Sequence, residues 1–284
     1  MNKLTWAFFG SSEFSVTVLE QLKSLSLLPN LIVTIEDKPK GRKLILTKEE
    51  VKVWAEKENI PVLQLKTLKS EESFSAIKNY FPEGADVFVV THYGKMIPDN
   101  ILYFPKHKTL NIHPSLLPKL RGPSPIKSAI LSENKTGVSI IRLDSEMDHG
   151  PILAQKNVTT TEWPPYEEEL ENILATTGAN LLFELLPSRQ SGSLKEAEQD
   201  HAHATFCTKI EKKDGEIDLN DSPEKNLRKI RAFHNWPGAY FFSTKGRVIV
   251  KRAKIENDKL IIEKVIPEGK KEMSYVDYLR GQKN

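Results

Sequence analysis

Short apolar runs alternate with amphipathic segments through the first part of the chain. The runs are rich in apolar β-branched and aromatic residues and read LTWAFFG, NLIVTIE, IPVLQL, ADVFVVT and TLNIH. Runs of this kind are typical of strands that are buried on both faces of a parallel sheet. Apolar residues recur at helical spacing around residues 13–22, 49–57 and 70–80. The pattern therefore predicts an α/β fold, with an open, mostly parallel sheet and helices on both faces.

The remaining residues predict a second, smaller unit. TGVSIIRLD and GPILAQKNV read as two further strands around the turn SEMDHG, and residues 166–189 read as a long amphipathic helix. Residues 190–205 are polar and aperiodic, which indicates a linker. Alternating apolar patterns such as GRVIVKRAKIE and KLIIEKVI then predict a mostly β domain. We expect a first domain over 1–189, a linker over 190–205 and a C-terminal domain over 206–284.

The candidate chemistry lies where the fifth strand ends. Asn111 and His113 have the same parity on that strand, so both side chains point to one face. In open α/β sheets, ligands bind beyond the carboxyl ends of the strands. A neutral histidine can accept a proton there, and an amide can donate to a developing oxyanion. Asp148, in the turn SEMDHG, is the natural carboxylate partner and Asp144 is its rival; alternatively, Asn111 and His113 only satisfy backbone groups of the following loop.

Composition and charge narrow the class of protein. Hydrophobic residues make up 39% and charged residues 28% of the 284 residues, which is ordinary for a globular chain. No apolar run is long enough for a membrane span, no signal peptide is evident, and a single cysteine suggests a reducing cytoplasm. Residues 206–284 carry 18 lysines and arginines against 12 acidic residues, whereas residues 1–205 carry 23 against 26. The basic C-terminal part suggests a polyanionic partner or a solvated surface.

Several common sites lack support in the sequence. There is no GxGxxG turn and no GxxxxGK[ST] loop, so dinucleotide and P-loop functions are disfavoured. His201 and His203 could bind a metal, but no suitably spaced carboxylate or cysteine accompanies them, and we expect no metal. The loop DKPKGRK, residues 37–43, is strongly basic and follows the second strand. It could contact phosphates or simply be a solvated loop.

Two segments carry a family resemblance. NIHPSLLPKLRGPSPI and DSEMDHGPILAQ closely resemble the signature of the folate-dependent formyltransferases. In that family an Asn, a His and an Asp act together on 10-formyltetrahydrofolate. The resemblance extends along most of the chain to the members that formylate methionyl-initiator tRNA, through FFGSSEFSVTVLEQL, DKPKGRK, ATFCTKIEKKDGEIDL, IRAFHNWPGAYF and GKKEMSYVDYLRG.

The resemblance implies a role for each matching residue. Asn111, His113 and Asp148 would form the catalytic set. Ser115, Leu116, Leu117 and Pro118 would line the folate site. Arg42 would be the leading tRNA contact, with Lys43 and Lys40 beside it. The first domain would be Rossmann-like, and the C-terminal domain would be an OB-like β-barrel that binds tRNA.

The expected activity is formyl transfer from 10-formyltetrahydrofolate to the α-amine of methionyl-initiator tRNA, by a monomeric cytoplasmic enzyme. Two alternatives stay open. One is a folate-dependent formyltransferase that acts on a nucleotide-linked amino sugar, which would not need both a basic loop and a basic β domain. The other is a non-catalytic RNA-binding protein, which would explain the charge but would leave Asn111, His113 and Asp148 without a purpose.

Overall fold

The computed structural model describes residues 4–40 and 44–282. Its strands are β1 (Trp6–Gly10), β2 (Leu31–Thr34), β3 (Lys38–Lys40), β4 (Ile45–Thr47), β5 (Val62–Gln64), β6 (Val87–Thr91), β7 (Thr109–His113), β8 (Gly137–Arg142), β9 (Ile152–Asn157), β10 (Ala239–Ser243), β11 (Gly246–Glu256), β12 (Lys259–Pro267) and β13 (Met273–Ser274). Its helices are α1 (Glu13–Ser24), α2 (Glu50–Lys57), α3 (Glu71–Lys78), α4 (Asp99–Leu102), α5 (Pro125–Ser132), α6 (Glu167–Gln190), α7 (Pro223–Ala232) and α8 (Tyr275–Arg280). Short 3₁₀ helices cover His201–His203 and Lys212–Gly215.

The main sheet is the predicted α/β sheet. Within the described ranges it has seven strands in the order β5-β2-β1-β6-β7-β8-β9. The pairs from β5 to β7 are parallel, whereas β8 runs antiparallel to β7 and to β9. The prediction of a mostly parallel sheet is confirmed. The order places β7 inside the sheet, with the carboxyl end of β7 between β6 and β8.

The burial of β1, the start of α1 and the turn between them follow from the residues at these positions. β1 is buried along its whole length, as a strand covered on both faces must be. Ser12 caps α1, and its side chain accepts a hydrogen bond from the backbone N–H of Ser15. A Cβ on Gly10 would lie 2.6 Å from the Phe8 ring and 2.7 Å from Ser15 Oγ. The turn after β1 therefore requires a residue without a side chain.

The chain divides into two compact units. Unit 1 comprises residues 1–121, 137–158 and 172–206, and unit 2 comprises residues 122–136, 159–171 and 207–284. Unit 1 includes residues 190–205, for which the sequence predicted a linker. Unit 2 contains, in the part that the structure describes, a four-stranded antiparallel sheet in the order β10-β11-β12-β13.

None of the described helices is long and apolar enough to cross a bilayer.

The sequence did not predict two of the helices, and one hairpin includes part of a predicted loop. α5 begins with Pro125 at its first positions, and α7 begins with Pro223 after the cap Ser222. In both, proline occupies the one part of a helix that tolerates it, so a turn signal concealed a helix start. β3 and β4 pair antiparallel, so part of the basic segment that we predicted as a loop is a strand.

Candidate active site

Three polar side chains meet at the carboxyl end of β7. Asn111 Nδ2 donates to Asp148 Oδ1 at 3.3 Å, and His113 Nδ1 lies 3.5 Å from the same oxygen. Asn111 and His113 are 9% and 3% exposed, and the Asp148 side chain is 12% exposed. The second distance exceeds that of a well-formed hydrogen bond, so His113 and Asp148 face each other without close contact. The structure brings the three residues together as the sequence anticipated.

The other nitrogen of His113 is committed to the backbone. Nε2 lies 3.0 Å from the carbonyl oxygen of Leu120, and a carbonyl oxygen can only accept a hydrogen bond. Nε2 therefore carries a hydrogen. In a neutral imidazole the lone pair must then be on Nδ1, the nitrogen that faces Asp148. A proton that arrives at Nδ1 would be stabilised by the adjacent carboxylate.

Asp144, the other candidate carboxylate, stabilises the turn that carries Asp148. Asp144 Oδ1 accepts from the backbone N–H of Glu146 at 2.9 Å, and Asp144 Oδ2 pairs with His149 Nδ1 at 2.8 Å. Asp144 thus stabilises the turn, and the geometry brings Asp148, not Asp144, to Asn111 and His113. Asp148 has a φ of 51°, in the left-handed region that few residues with side chains adopt.

A buried pair that the sequence did not indicate lies behind this turn. Gln199 Nε2 donates to the carbonyl oxygens of Asp148 and Gly150, at 2.8 and 2.7 Å. Gln199 Oε1 accepts from Arg121 Nε and from a terminal nitrogen of the same guanidinium, at 3.1 and 2.7 Å. Gln199 falls in the aperiodic stretch that we predicted as a linker, where no periodicity or motif distinguishes it.

The loop after His113 is fixed by its own hydrogen bonds. Ser115 Oγ donates to the Lys119 carbonyl at 2.6 Å, and the Leu117 N–H donates to Ser139 Oγ at 3.0 Å. Ser115 and Leu117 are buried, whereas Leu116 and Pro118 are only partly buried. The predicted folate residues therefore form a rigid turn in which Leu116 and Pro118 are the more accessible side chains.

The predicted tRNA contacts are only partly within the described residues. Arg42 and Lys43 lie outside them, and Lys40 is the last residue of β3. The base of this hairpin is held by Asp37, which accepts from Lys52 Nζ and Gln64 Nε2 at 2.7 Å each. The Lys52 hydrogen bond, followed by that of Gln64, lowers the pKa of Asp37 to about 2. Asp37 thus remains ionised at neutral pH and connects the residue before β3 to α2 and β5.

A cavity of about 380 Å³ lies at the opposite end of β7. Its lining residues include Lys108, which precedes β7, and Arg142 and Arg189, which share the carboxylate of Glu196. Burial, and then the charges of Lys106 and Arg189, lower the pKa of His107 in this cavity. The cavity is separate from Asn111, His113 and Asp148.

Within residues 4–40 and 44–282, no group of three or more His, Cys, Asp or Glu side chains could hold a metal ion.

Family models account for most of the sequence. The model described as formyl transferase matches residues 3–186, and the model described as formyl transferase, C-terminal domain, matches residues 209–261. The chain belongs to the formyl transferase family. The resemblance that the two signature segments indicated is therefore confirmed.

Individual relatives are similar over most of the chain. The chain is 38% identical to the methionyl-tRNA formyltransferase of Halalkalibacterium halodurans, over 82% of this chain and 73% of that protein. It is 35% identical to the methionyl-tRNA formyltransferase of Thermus thermophilus, over 97% and 95%. The structure of HypX from Aquifex aeolicus in complex with tetrahydrofolic acid has a similar fold, with a TM-score of 0.67 and 15% identity, over 98% of this chain and 47% of that chain.

Proposed function

We propose that this protein transfers a formyl group from 10-formyltetrahydrofolate to the α-amine of methionyl-initiator tRNA. The observation that carries the proposal is the convergence of Asn111, His113 and Asp148 at the carboxyl end of β7. An amide donor, an imidazole and a carboxylate are the groups that acyl transfer to an amine requires. The substrate assignment is supported by the methionyl-tRNA formyltransferases that share 38% and 35% of aligned residues.

His113 and Asp148 would handle the proton that the attacking amine loses. His113 Nδ1 carries the lone pair of the neutral ring because Nε2–H is held by Leu120 O. This nitrogen can take the proton, and the Asp148 carboxylate 3.5 Å away stabilises the resulting charge; the proton would then pass to N10 of the folate as its bond to the formyl carbon breaks. Asn111 Nδ2 would donate to the carbonyl oxygen as it gains negative charge. A donor in this role contributes about 10²–10³ in rate.

The folate would be held by the turn over Ser115, Leu116, Leu117 and Pro118. The two partly buried side chains, Leu116 and Pro118, offer apolar contacts beside the polar set, and the turn is already ordered by Ser139. When bound, 10-formyltetrahydrofolate supplies an activated one-carbon unit. The structural neighbour bound to tetrahydrofolic acid supports a folate ligand for this fold.

The tRNA would contact two basic parts of the chain. Arg42, with Lys43 and Lys40, would contact phosphates from the basic segment over residues 37–43. The C-terminal residues 206–284, with their excess of basic residues, would bind the tRNA electrostatically. In this proposal unit 1, which includes residues 190–205, carries out the chemistry, residues 206–284 bind tRNA, and the protein acts as a cytoplasmic monomer.

An acceptor comparison tests this function. The protein is incubated with 10-formyltetrahydrofolate and, separately, with methionyl-initiator tRNA, uncharged initiator tRNA and a nucleotide-linked amino sugar. We expect formylation of methionyl-tRNA alone, measured by mass spectrometry of the released aminoacyl group. Formylation of the amino sugar alone would establish the first alternative. Binding of tRNA without formylation would establish the second.

A further inference from the structure

The buried Gln199 side chain connects the two loops that form the candidate active site. We propose that Gln199, with Arg121, is a positioning residue that holds Asp148 against Asn111 and His113. The inference rests on the proposed function, because it assigns Gln199 a part in the same reaction. Gln199 and Arg121 are each 4% exposed, so their polar groups are satisfied by other groups of the protein and not by solvent.

The amide nitrogen of Gln199 fixes the turn that carries Asp148. It donates to the carbonyl oxygens of Asp148 and Gly150, on both sides of His149. Asp148 is in the left-handed region, which is unfavourable for a residue with a side chain and persists only when neighbouring contacts impose it. Asp144 bonds to the Glu146 N–H and to His149 within the turn, whereas Gln199 bonds to the Asp148 carbonyl itself.

The amide oxygen of Gln199 connects this turn to the loop after His113. It accepts two hydrogen bonds from the Arg121 guanidinium. Arg121 directly follows Leu120, whose carbonyl oxygen accepts from His113 Nε2. One side chain therefore fixes the Asp148 turn relative to the loop that sets the orientation and tautomer of His113.

The arrangement has a catalytic consequence because the His113–Asp148 distance is already long. His113 Nδ1 and Asp148 Oδ1 are 3.5 Å apart, and Asn111 Nδ2 is 3.3 Å from the same oxygen. A further displacement of Asp148 would remove both interactions. A misplacement of about 1 Å can cost about 10²-fold in rate. Loss of Gln199 should therefore affect turnover far more than substrate binding.

Two substitutions test the hydrogen-bond donor and the acceptor of the Gln199 amide separately. Gln199→Met removes all four hydrogen bonds at similar volume. Gln199→Glu keeps acceptors for Arg121 but replaces the donor to the Asp148 and Gly150 carbonyls. The matched control is Gln21→Met, which removes one hydrogen bond to Asn180 between two helices of the same unit. Thermal unfolding of each variant identifies the temperature at which all are folded.

We expect both Gln199 variants to lower kcat about 10–100-fold with the KM for methionyl-tRNA changed less than about 3-fold, while Gln21→Met keeps wild-type kcat. Gln199→Met should have no further effect in an Asp148→Asn background, because it would act only through Asp148. Wild-type kcat in either Gln199 variant, a rise in KM alone, or additive losses in the double variant would overturn the positioning role.

The outcome also separates this inference from the proposed function. If Asp148→Asn keeps wild-type turnover, the catalytic set itself is wrong, and the positioning role fails with it. If Asp148→Asn is impaired and the Gln199 variants are not, only the positioning role is overturned. Should Gln199→Met fail to fold, Gln199→Glu decides; failure of both to fold would assign Gln199 to stability alone and overturn the proposal.

Discussion

One backbone carbonyl decides how His113 presents itself to the site. Leu120 O accepts the hydrogen bond from Nε2–H, so Nδ1 faces Asp148. The ring cannot exchange the roles of its nitrogens without breaking this 3.0 Å hydrogen bond.

Two aspartates in one turn have different surroundings. Asp144 is used within the turn, whereas Asp148 reaches Asn111 and His113. The chemistry of a residue here depends on its partners more than on its type.

The two aspartates give a matched pair of variants. Asp148→Asn keeps the size of the side chain but removes the charge that would stabilise a protonated His113, so we expect kcat to fall by about 10²-fold or more. Asp144→Asn also removes one negative charge, four residues earlier. We expect it to change kcat by less than about 5-fold, because Asp144 pairs with His149 and not with His113. Steady-state formylation rates measure both. Equal losses would contradict the distinction between them.

Asp37 gives a pH dependence of known sign. Its pKa is lowered from 3.8 to about 2, so its ionised form is favoured in the folded state. The stability that it contributes is present above about pH 4 and is lost as the pH falls towards 2. Asp37→Asn should therefore flatten the fall in the free energy of unfolding between pH 4 and pH 2, measured by urea titration. Asp258→Asn, in an exposed turn, is the control, and wild-type-like acid dependence in Asp37→Asn would refute the assignment.

At the scale of elements, α6 supports β7 from one face of the sheet. A Cβ on Gly178 would lie 2.5 Å from Ile112 Cγ2 and 3.1 Å from Val138 Cγ2. The helix therefore contacts the sheet directly at Ile112, the residue between Asn111 and His113. The long amphipathic pattern predicted this helix, but no local signal showed that its glycine is the point of contact.

Gly178→Val tests this contact. The added side chain must displace Ile112 or the helix, so we expect the free energy of unfolding to fall by about 1–3 kcal/mol. Thr176→Val, two residues earlier at a partly buried position, should stay within about 0.5 kcal/mol of wild type. Urea unfolding followed by circular dichroism measures both variants. Unchanged stability in Gly178→Val would show that the sheet accommodates the side chain.

At the scale of the whole molecule, charge is distributed unevenly along the chain. The C-terminal residues 206–284 have an excess of basic residues, and the first 205 residues have a slight excess of acidic ones. A polyanion would thus be attracted to the C-terminal part and to the isolated basic segment near Arg42. Counterion release makes such binding weaken as salt rises.

Arg42→Ala measures the contribution of the basic segment. Loss of one phosphate contact should raise the KM for methionyl-tRNA and reduce the slope of log KM against log salt by about 1, with the folate KM unchanged. Lys48→Ala is the charge-matched control, because Lys48 is paired with Glu56 at 2.7 Å. A parallel rise in the folate KM, or an equal effect of Lys48→Ala, would argue against a tRNA contact at Arg42.

The amino-acid sequence was sufficient to predict the alternation of strands and helices and the shared face of Asn111 and His113. Both follow from local periodicity, which each segment carries on its own. The family resemblance already favoured Asp148 over Asp144, but which His113 nitrogen faces Asp148, and that Gln199 lies behind it, became evident only from the tertiary structure. Asp148 lies 35 residues after His113 and 51 residues before Gln199, and neither Asp148 nor Gln199 is in a periodic segment, so only tertiary packing brings these residues together.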